Sequence, residues 1–507
     1  MSLSRVYSGL IDGVDGEIVK VETHLDQGLP GVHIVGLPDQ AVKESRERIR
    51  PAIKETGFDF PTRKITVNLS PADKAKQGST YDLPIAVGLL MADNQLEIPQ
   101  SELESVILTG EIALDGSLQP IPGILPLALE AAESGFERII LPRENYHEAE
   151  ATELDVQPVT HLREAVGILE GTVSVDPPPS PSENPERSFK DFSEVKGQES
   201  AKRGLSLAAA GGHNVLMIGP PGTGKSMLAS RLPGILPPLT RQESLEATSV
   251  HSVAGEMVGR GNLIERAPYR APHHTISGAG LIGGGRIPQP GEASLAHQGV
   301  LFLDELPEFQ RSILETLRQP LEEGIIHVSR AQASHTFPAD FLLVGAMNPC
   351  PCGYLTHPDR NCVCSPNQID RYRRKLSGPL LDRIDLHLSV GPVEYRELKG
   401  EGDGLSSEDL RRKVQSARDR QQKRYEKEPF NLNSKLGASD VDRYCKLDDP
   451  AEDLLQRAVD QKSYSARTVH RLHKVARTLA DFDDTDRISD EHVAEALQFR
   501  EFELDTV

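Results

Sequence analysis

The chain has 507 residues, 37% hydrophobic and 26% charged, with 42 glycines besides; this is ordinary globular composition at a length for about three domains. Lys and Arg number 56 against 76 Asp and Glu, a formal charge of -20, which excludes a uniformly basic nucleic-acid coat and leaves room only for a local basic channel. Five cysteines are too few for a disulfide framework, and the longest apolar stretch, Leu83–Ala92, is about half the ~20 residues of a membrane span.

No apolar segment follows the early Arg5, which speaks against a secretory signal, so a soluble, cytoplasmic, multidomain protein with no membrane association is expected. Residues 1–170 alternate short apolar runs (Ile65–Leu69, Val106–Leu108, Ile139–Leu141) with helical patterns such as Ile124–Ala132, predicting an α/β or α+β domain. Residues 171–188 are a linker: Val175–Glu186 carries five prolines in twelve residues, and proline neither joins a sheet interior nor continues a helix. Residues 189–398 hold buried-strand runs at Asn214–Ile218, Val300–Leu303 and Phe341–Ala346 separated by helical segments, the pattern of a parallel sheet. Beyond a glycine-rich boundary at Lys399–Ser407, residues 399–507 read as helical. There is no internal repeat of fixed period.

Within the third segment, Gly219-Pro220-Pro221-Gly222-Thr223-Gly224-Lys225-Ser226 follows an apolar strand and precedes a helical pattern over Met227–Leu232. Glycines let backbone N–H groups close around phosphate oxygens. Lys225 is placed to reach the β- and γ-phosphates, and the Ser226 hydroxyl to bind Mg²⁺. A second strand ends in Asp304-Glu305; Asp304 is expected to hold Mg²⁺ through water and Glu305 to polarise the attacking water. The next strand ends in Asn348, placed to orient that water or touch the γ-phosphate. Arg383, in PLLDRIDL, is either locally paired with Asp382 or Asp385 or an arginine finger for a neighbouring subunit's ATP. Arg467, in SARTVHR, is a candidate γ-phosphate contact from a helical lid.

With these elements in this order, residues 189–500 resemble an AAA+ ATPase, and more narrowly the magnesium-chelatase-like and MCM-like branch. The markers are the insertion Ala271–Gly299, the LDRIDL segment and the SAR lid. The resemblance implies an α/β P-loop NTPase core with a helical C-terminal lid, a homo-hexameric ring, an ATP-driven motor using ATP and Mg²⁺, and insertion loops facing the pore. Leu108–Asn145 resembles the proteolytic domain of Lon and the C-terminal domain of RadA, implying an α+β fold of the ribosomal S5 domain 2-like kind. Asp82 stands where Lon carries its nucleophilic serine, and Leu125 or thereabouts where it carries its lysine, so the protease dyad is absent. The whole arrangement resembles the ComM/YifB family, which implies a DNA branch-migration motor acting on recombination intermediates in competence. The alternatives are a chelatase-type remodelling subunit acting on a protein partner and, less favoured, an ATP-dependent protease.

Leu281, Ile282 and Arg286 in the glycine-rich insertion, and Arg330 near the tip of a hairpin over Ile325–Phe337, are candidate pore contacts to DNA. Arg371–Lys375 (RYRRK) is a basic patch that suits a subunit interface as well as DNA. Cys350, Cys352, Cys362 and Cys364 form a C-x-C, nine residues, C-x-C pattern. Four thiolates suit tetrahedral, structural Zn²⁺; the alternatives are reduced structural cysteines or a stress disulfide, and His357 is a substitute ligand.

Overall fold

The computed structural model describes residues 3–179, 189–285, 288–329, 334–393 and 405–500. The chain divides into two compact units. The first comprises residues 1–184 with two later segments, 244–264 and 329–337; the second comprises 185–243, 265–328 and 338–507.

The strands in chain order are β1 (Leu3–Asp12), β2 (Asp15–Asp26), β3 (Gly31–Val35), β4 (Lys64–Ser70), β5 (Val106–Leu108), β6 (Glu111–Ile112), β7 (Leu118–Gln119), β8 (Arg138–Pro142), β9 (Asp155–Val159), β10 (Val215–Ile218), β11 (Tyr269–Arg270), β12 (Val300–Leu303), β13 (Ile325–Ser329), β14 (Ser334–Pro338), β15 (Leu342–Met347) and β16 (Leu386–Ser389).

The first unit is built on a seven-stranded sheet of order β3-β4-β2-β1-β5-β8-β9. β1 and β2 pair antiparallel with Asp12 opposite Asp15. Gly13, at φ +71, makes that two-residue turn, the conformation glycine adopts without steric cost. Successive side chains of a strand point to opposite faces, and β1 illustrates it: Val6 enters one core and Tyr7 packs on another. The apolar run Leu83–Ala92 is the body of a helix, Asp82–Ala92, with ten of its eleven residues buried. A helix apolar all round belongs inside a core, so this stretch is interior packing.

The second unit holds a five-stranded sheet of order β11-β12-β15-β10-β16, with every pair parallel. β10, β12 and β15 are buried along their whole length, which is why they read as unbroken hydrophobic runs. β15 lies between β10 and β12, so the loops leaving these three strands emerge side by side at one edge. The C-terminal helices Ser407–Arg424, Asp449–Lys462, Ala466–Phe482 and Asp490–Gln498 share one core with the sheet: Leu388 of β16 belongs to the same cluster as Leu410, Leu455, Leu472 and Val493.

A buried polar network ties these helices down. Asp481, 1% exposed, accepts from Arg477 Nη2 at 3.0 Å, Arg424 Nη1 at 2.8 Å and Asn433 Nδ2 at 3.0 Å. Asp481→Ala leaves two guanidinium groups without their carboxylate, and breaking a buried pair from one side costs about 3–5 kcal/mol. Chemical denaturation of the variant should show a loss of that size.

Candidate functional site

The loop after β10 is shaped by two glycines at positive φ, Gly222 (+80) and Gly224 (+88), positions where a Cβ is strained. Gly219 is constrained by space, since a Cβ there would lie 2.0 Å from the Val390 carbonyl oxygen. The helix that follows is short, Lys225–Ala229, and gives way to a 3₁₀ turn at Leu232–Gly234, so the helical reading of Met227–Leu232 holds only in part. Lys225 is 8% exposed. Its Nζ donates to the carbonyls of Gly219 (2.8 Å) and Pro220 (2.9 Å) and lies 3.3 Å from Asn348 Oδ1. Burial pulls the Lys225 ammonium below the usual lysine range, and Asp304 opposes that shift. Thr223 Oγ1 donates to the Pro220 carbonyl at 2.9 Å.

Asp304 and Glu305 leave the end of β12. Ser226 Oγ donates to Asp304 Oδ2 at 2.6 Å, and the Glu305 N–H donates to Asp304 Oδ1 at 2.9 Å. A hydroxyl and a carboxylate so close offer the hard oxygen ligands that Mg²⁺ takes, so the residues fit that ion. Glu305 sits at φ +51, a left-handed conformation that costs a non-glycine residue energy and clusters at functional sites. Its carboxylate lies 3.4 Å from His274 Nδ1. A cleft of about 390 Å³ is lined by Pro221–Met227, Asp304, Glu305, Met347 and Asn348. His274 was missed from sequence; the paired histidines in APHHT were the available signal.

Arg383 and Arg467 do not line that cleft. Arg383 is bonded to Glu322 and to the Pro379 carbonyl, and neither Asp382 nor Asp385, the neighbours expected from sequence, is its partner in those bonds. Ser465 caps the helix Ala466–Phe482, which sets Arg467 and Arg471 one turn apart on one face. Arg467 Nη1 is 3.9 Å and Arg471 Nη2 3.8 Å from Asp382. Arg471 and Arg383 line a cavity of about 300 Å³ with Asp382, Asp385 and Lys474, and Arg383 Nε and Arg471 Nη1 are buried with no hydrogen-bond partner among the described residues. Burial lowers the Arg471 pKa. Sequence reasoning singled out Arg467; its heptad-like companion Arg471 was legible from the four-residue spacing alone.

The cysteines converge. The sulfur atoms of Cys350, Cys352, Cys362 and Cys364 all lie within 4.8 Å of one another. Cys350 is 3.4 Å from Cys352 and 3.6 Å from Cys362, and Cys352 is 3.5 Å from Cys362. Backbone N–H groups point at the sulfurs, Cys352 N to Cys364 at 3.3 Å and Cys364 N to Cys362 at 3.4 Å. Backbone donors at Tyr354 and Val363 hold the Cys352 thiol down to about 6. Four converging thiols fit a tetrahedral soft-metal site. His357 is not in the cluster.

The DNA-contact candidates fare unevenly. Leu281 is fully buried in the short helix Gly278–Ile282, because that helix turns it inward while Ile282 stays half-buried; a contact through the Leu281 side chain is therefore corrected. Arg286 and Arg330 lie outside the described residues, although β13 and β14 supply the two strands expected around Arg330. In the basic patch, Lys375 pairs with Glu308 at 3.0 Å and Arg374 with Asp370 at 2.9 Å. Among the described residues no helix is long and apolar enough to cross a membrane.

In the first unit Asp82 is fully buried. Arg48 grips it with Nε at 2.7 Å and Nη2 at 3.0 Å, and Ser45 and the Ile112 N–H complete its shell. Burial lifts the Asp82 carboxyl above the usual range against those bonds. Ser79 donates to Glu111, and Lys76 Nζ to the Lys74 carbonyl. Leu125 is fully buried. None of these pairs is a serine–lysine dyad.

Family models described as magnesium chelatase, subunit ChlI, as subunit ChlI of Mg-chelatase, and as magnesium chelatase, subunit ChlI C-terminal match residues 191–398, 21–145 and 404–500. YifB of Salmonella typhimurium is 44% identical over 506 residues, 99% of this chain and 97% of the relative. YifB of Escherichia coli is 44% identical over 503 residues, with the same coverage, and the competence protein ComM of Haemophilus influenzae is 43% identical over 510 residues, 99% of this chain and 98% of the relative. Likeness of that extent, carried on an AAA+-type P-loop core with a helical C-terminal region, means that the chain belongs to the ComM/YifB family, close relatives of the magnesium-chelatase ChlI-type AAA+ ATPases.

Proposed function

We propose that the protein is an ATP-hydrolysing motor that works as a homo-hexameric ring in the cytoplasm, with each active site completed across a seam between subunits. The observation that carries this reading is the separation of parts. Lys225, Ser226, Asp304, Glu305 and Asn348 share one cleft, while Arg383 and Arg471 line another cavity with guanidinium N–H groups unspent. A second copy is the natural source of the missing cation.

In the mechanism, loop N–H groups and Lys225 bind the phosphates, exchanging the carbonyl contacts of Lys225 for phosphate oxygens. Ser226 and Asp304 would hold Mg²⁺, which supplies charge neutralisation at the β- and γ-phosphate oxygens when bound. Glu305 orients and polarises the attacking water, and Asn348 fixes its position beside Lys225. Arg383 of the adjacent subunit stabilises the charge spreading on the transferred phosphoryl group, and Arg467 couples its departure to movement of the helical region.

The substrate proposed is branched DNA, moved by branch migration during recombination in competence. A relative that bears the name competence protein supports it, and an acidic exterior around a small basic pore would reconcile it with the charge of -20. ATP turnover measured with and without a synthetic four-way junction, together with junction movement, tests it. Stimulated turnover and movement are expected; turnover indifferent to every DNA form would remove the substrate and leave the ATPase. The second reading, a chelatase-type motor remodelling a protein partner, draws on the ChlI models matched along the chain, and that indifferent outcome would favour it.

The four thiols are proposed to hold one structural Zn²⁺. All four positions are filled by protein, so no coordination site is open for chemistry. Elemental analysis should find about one zinc per chain.

A further inference from the structure

The cysteine loop lies against the nucleotide site. Asn348, whose carboxamide meets Lys225, is two residues from Cys350. Gly353, the residue after Cys352, is buried at φ +84. A Cβ built on it would stand 2.6 Å from Pro221 Cδ and 3.2 Å from Pro221 Cγ, with Asn348 Cγ at 3.9 Å. Its backbone therefore rests directly on the phosphate-binding loop, at the one residue type that permits both the approach and the conformation. The N–H of Gly353 in turn donates to the Cys350 carbonyl at 3.0 Å. The far end of the loop is anchored as well: Ser365, next to Cys364, caps the helix Pro366–Arg373 with a full capping box. Between Asn348 and Ser365 the chain has no strand or helix, so its shape depends on turns and on whatever joins the four sulfurs.

We infer that a zinc ion on Cys350, Cys352, Cys362 and Cys364 braces the phosphate-binding loop, so that nucleotide affinity depends on metal occupancy. The inference rests on the zinc reading above and adds a regulatory consequence to it. With the metal bound, the two C-x-C arms are clamped and Gly353 is pressed on Pro221 while Asn348 is held at Lys225. Without it, a fifteen-residue loop (350–364) regains its conformational freedom and the backing of Pro221 is lost. Linkage makes the coupling reciprocal: whatever factor zinc adds to nucleotide affinity, nucleotide adds to zinc affinity.

The test uses the full-length protein. Zinc content is measured by elemental analysis, and ADP affinity by fluorescence titration before and after chelator treatment and again after zinc is restored. Metal removal is expected to weaken ADP binding by on the order of tenfold, with recovery on zinc addition. Competition with a chromogenic chelator should show zinc held more tightly, by the same factor, when ADP is present. Gly353→Ala keeps all four thiols; it should retain zinc and still lose affinity for ADP, and it decides the matter if metal removal unfolds the chain. Zinc-loaded protein whose ADP affinity stays within about twofold after metal removal, and in Gly353→Ala, would overturn the brace alone. Less than about half a zinc per chain would overturn both the metal and the brace and leave the motor. Zinc-loaded wild-type protein that binds no ADP or ATP would overturn the motor as well.

Discussion

Arg383→Ala should reduce ATP turnover by about 10³–10⁵-fold, some 4–7 kcal/mol of barrier, while ADP and ATP still bind. The direction follows from where Arg383 lies: outside the cleft that holds Lys225 and Glu305, so its loss cannot disturb phosphate binding within the same subunit. In the single chain Glu322 and the Pro379 carbonyl hold its guanidinium, and Nε has no partner among the described residues. A subunit seam would re-aim the group toward the neighbour's triphosphate. Mixing supplies the sharper form of the experiment. Lys225→Ala removes the phosphate cradle and Arg383→Ala the finger, so each variant alone should be inactive. An equal mixture should recover activity at about a quarter of the seams, where an intact cradle meets an intact finger. No recovery after subunit exchange would contradict a site shared between chains.

Glu305→Gln should lower turnover by about 10²–10⁴-fold, the usual contribution of a positioned general base, and should leave ATP bound and uncleaved. The substitution keeps the shape of the side chain, and Asp304, which bonds Ser226 at 2.6 Å, is untouched. Rapid-quench measurement of ATP bound against ADP formed separates the two effects. If ADP appears at the wild-type rate, another group activates the water.

What the sequence disclosed and what it concealed divide along a physical line. Parallel strands buried on both faces leave unmistakable apolar runs, and the residues that line the cleft follow immediately at the strand ends; that Gly219–Ser226, Asp304, Glu305 and Asn348 lie near one another was legible for that reason. The two C-x-C pairs announced their own convergence. Contacts made across long stretches of chain were not legible. Leu281 sits in a glycine-rich segment that reads as loop, yet a five-residue helix turns it inward. The bond from Arg383 to Glu322 joins residues 61 positions apart, and the Arg48–Asp82 pair joins residues 34 apart. Asp82 reads from sequence only as a residue where a nucleophile is missing; the structure buries it and pairs it with the half-buried Arg48 guanidinium instead. Likewise nothing local in residues 244–264 or 329–337 marks them as parts of the first unit. Gly353 carries no signal at all until Pro221 is seen beside it.

The seam between cradle and finger is tested most directly by ATP turnover per chain across a dilution series, with the oligomeric state followed in the same samples by mass photometry. Turnover should rise with the hexamer and vanish with the monomer. Constant turnover per chain from full assembly to isolated subunits would contradict a site built by two chains.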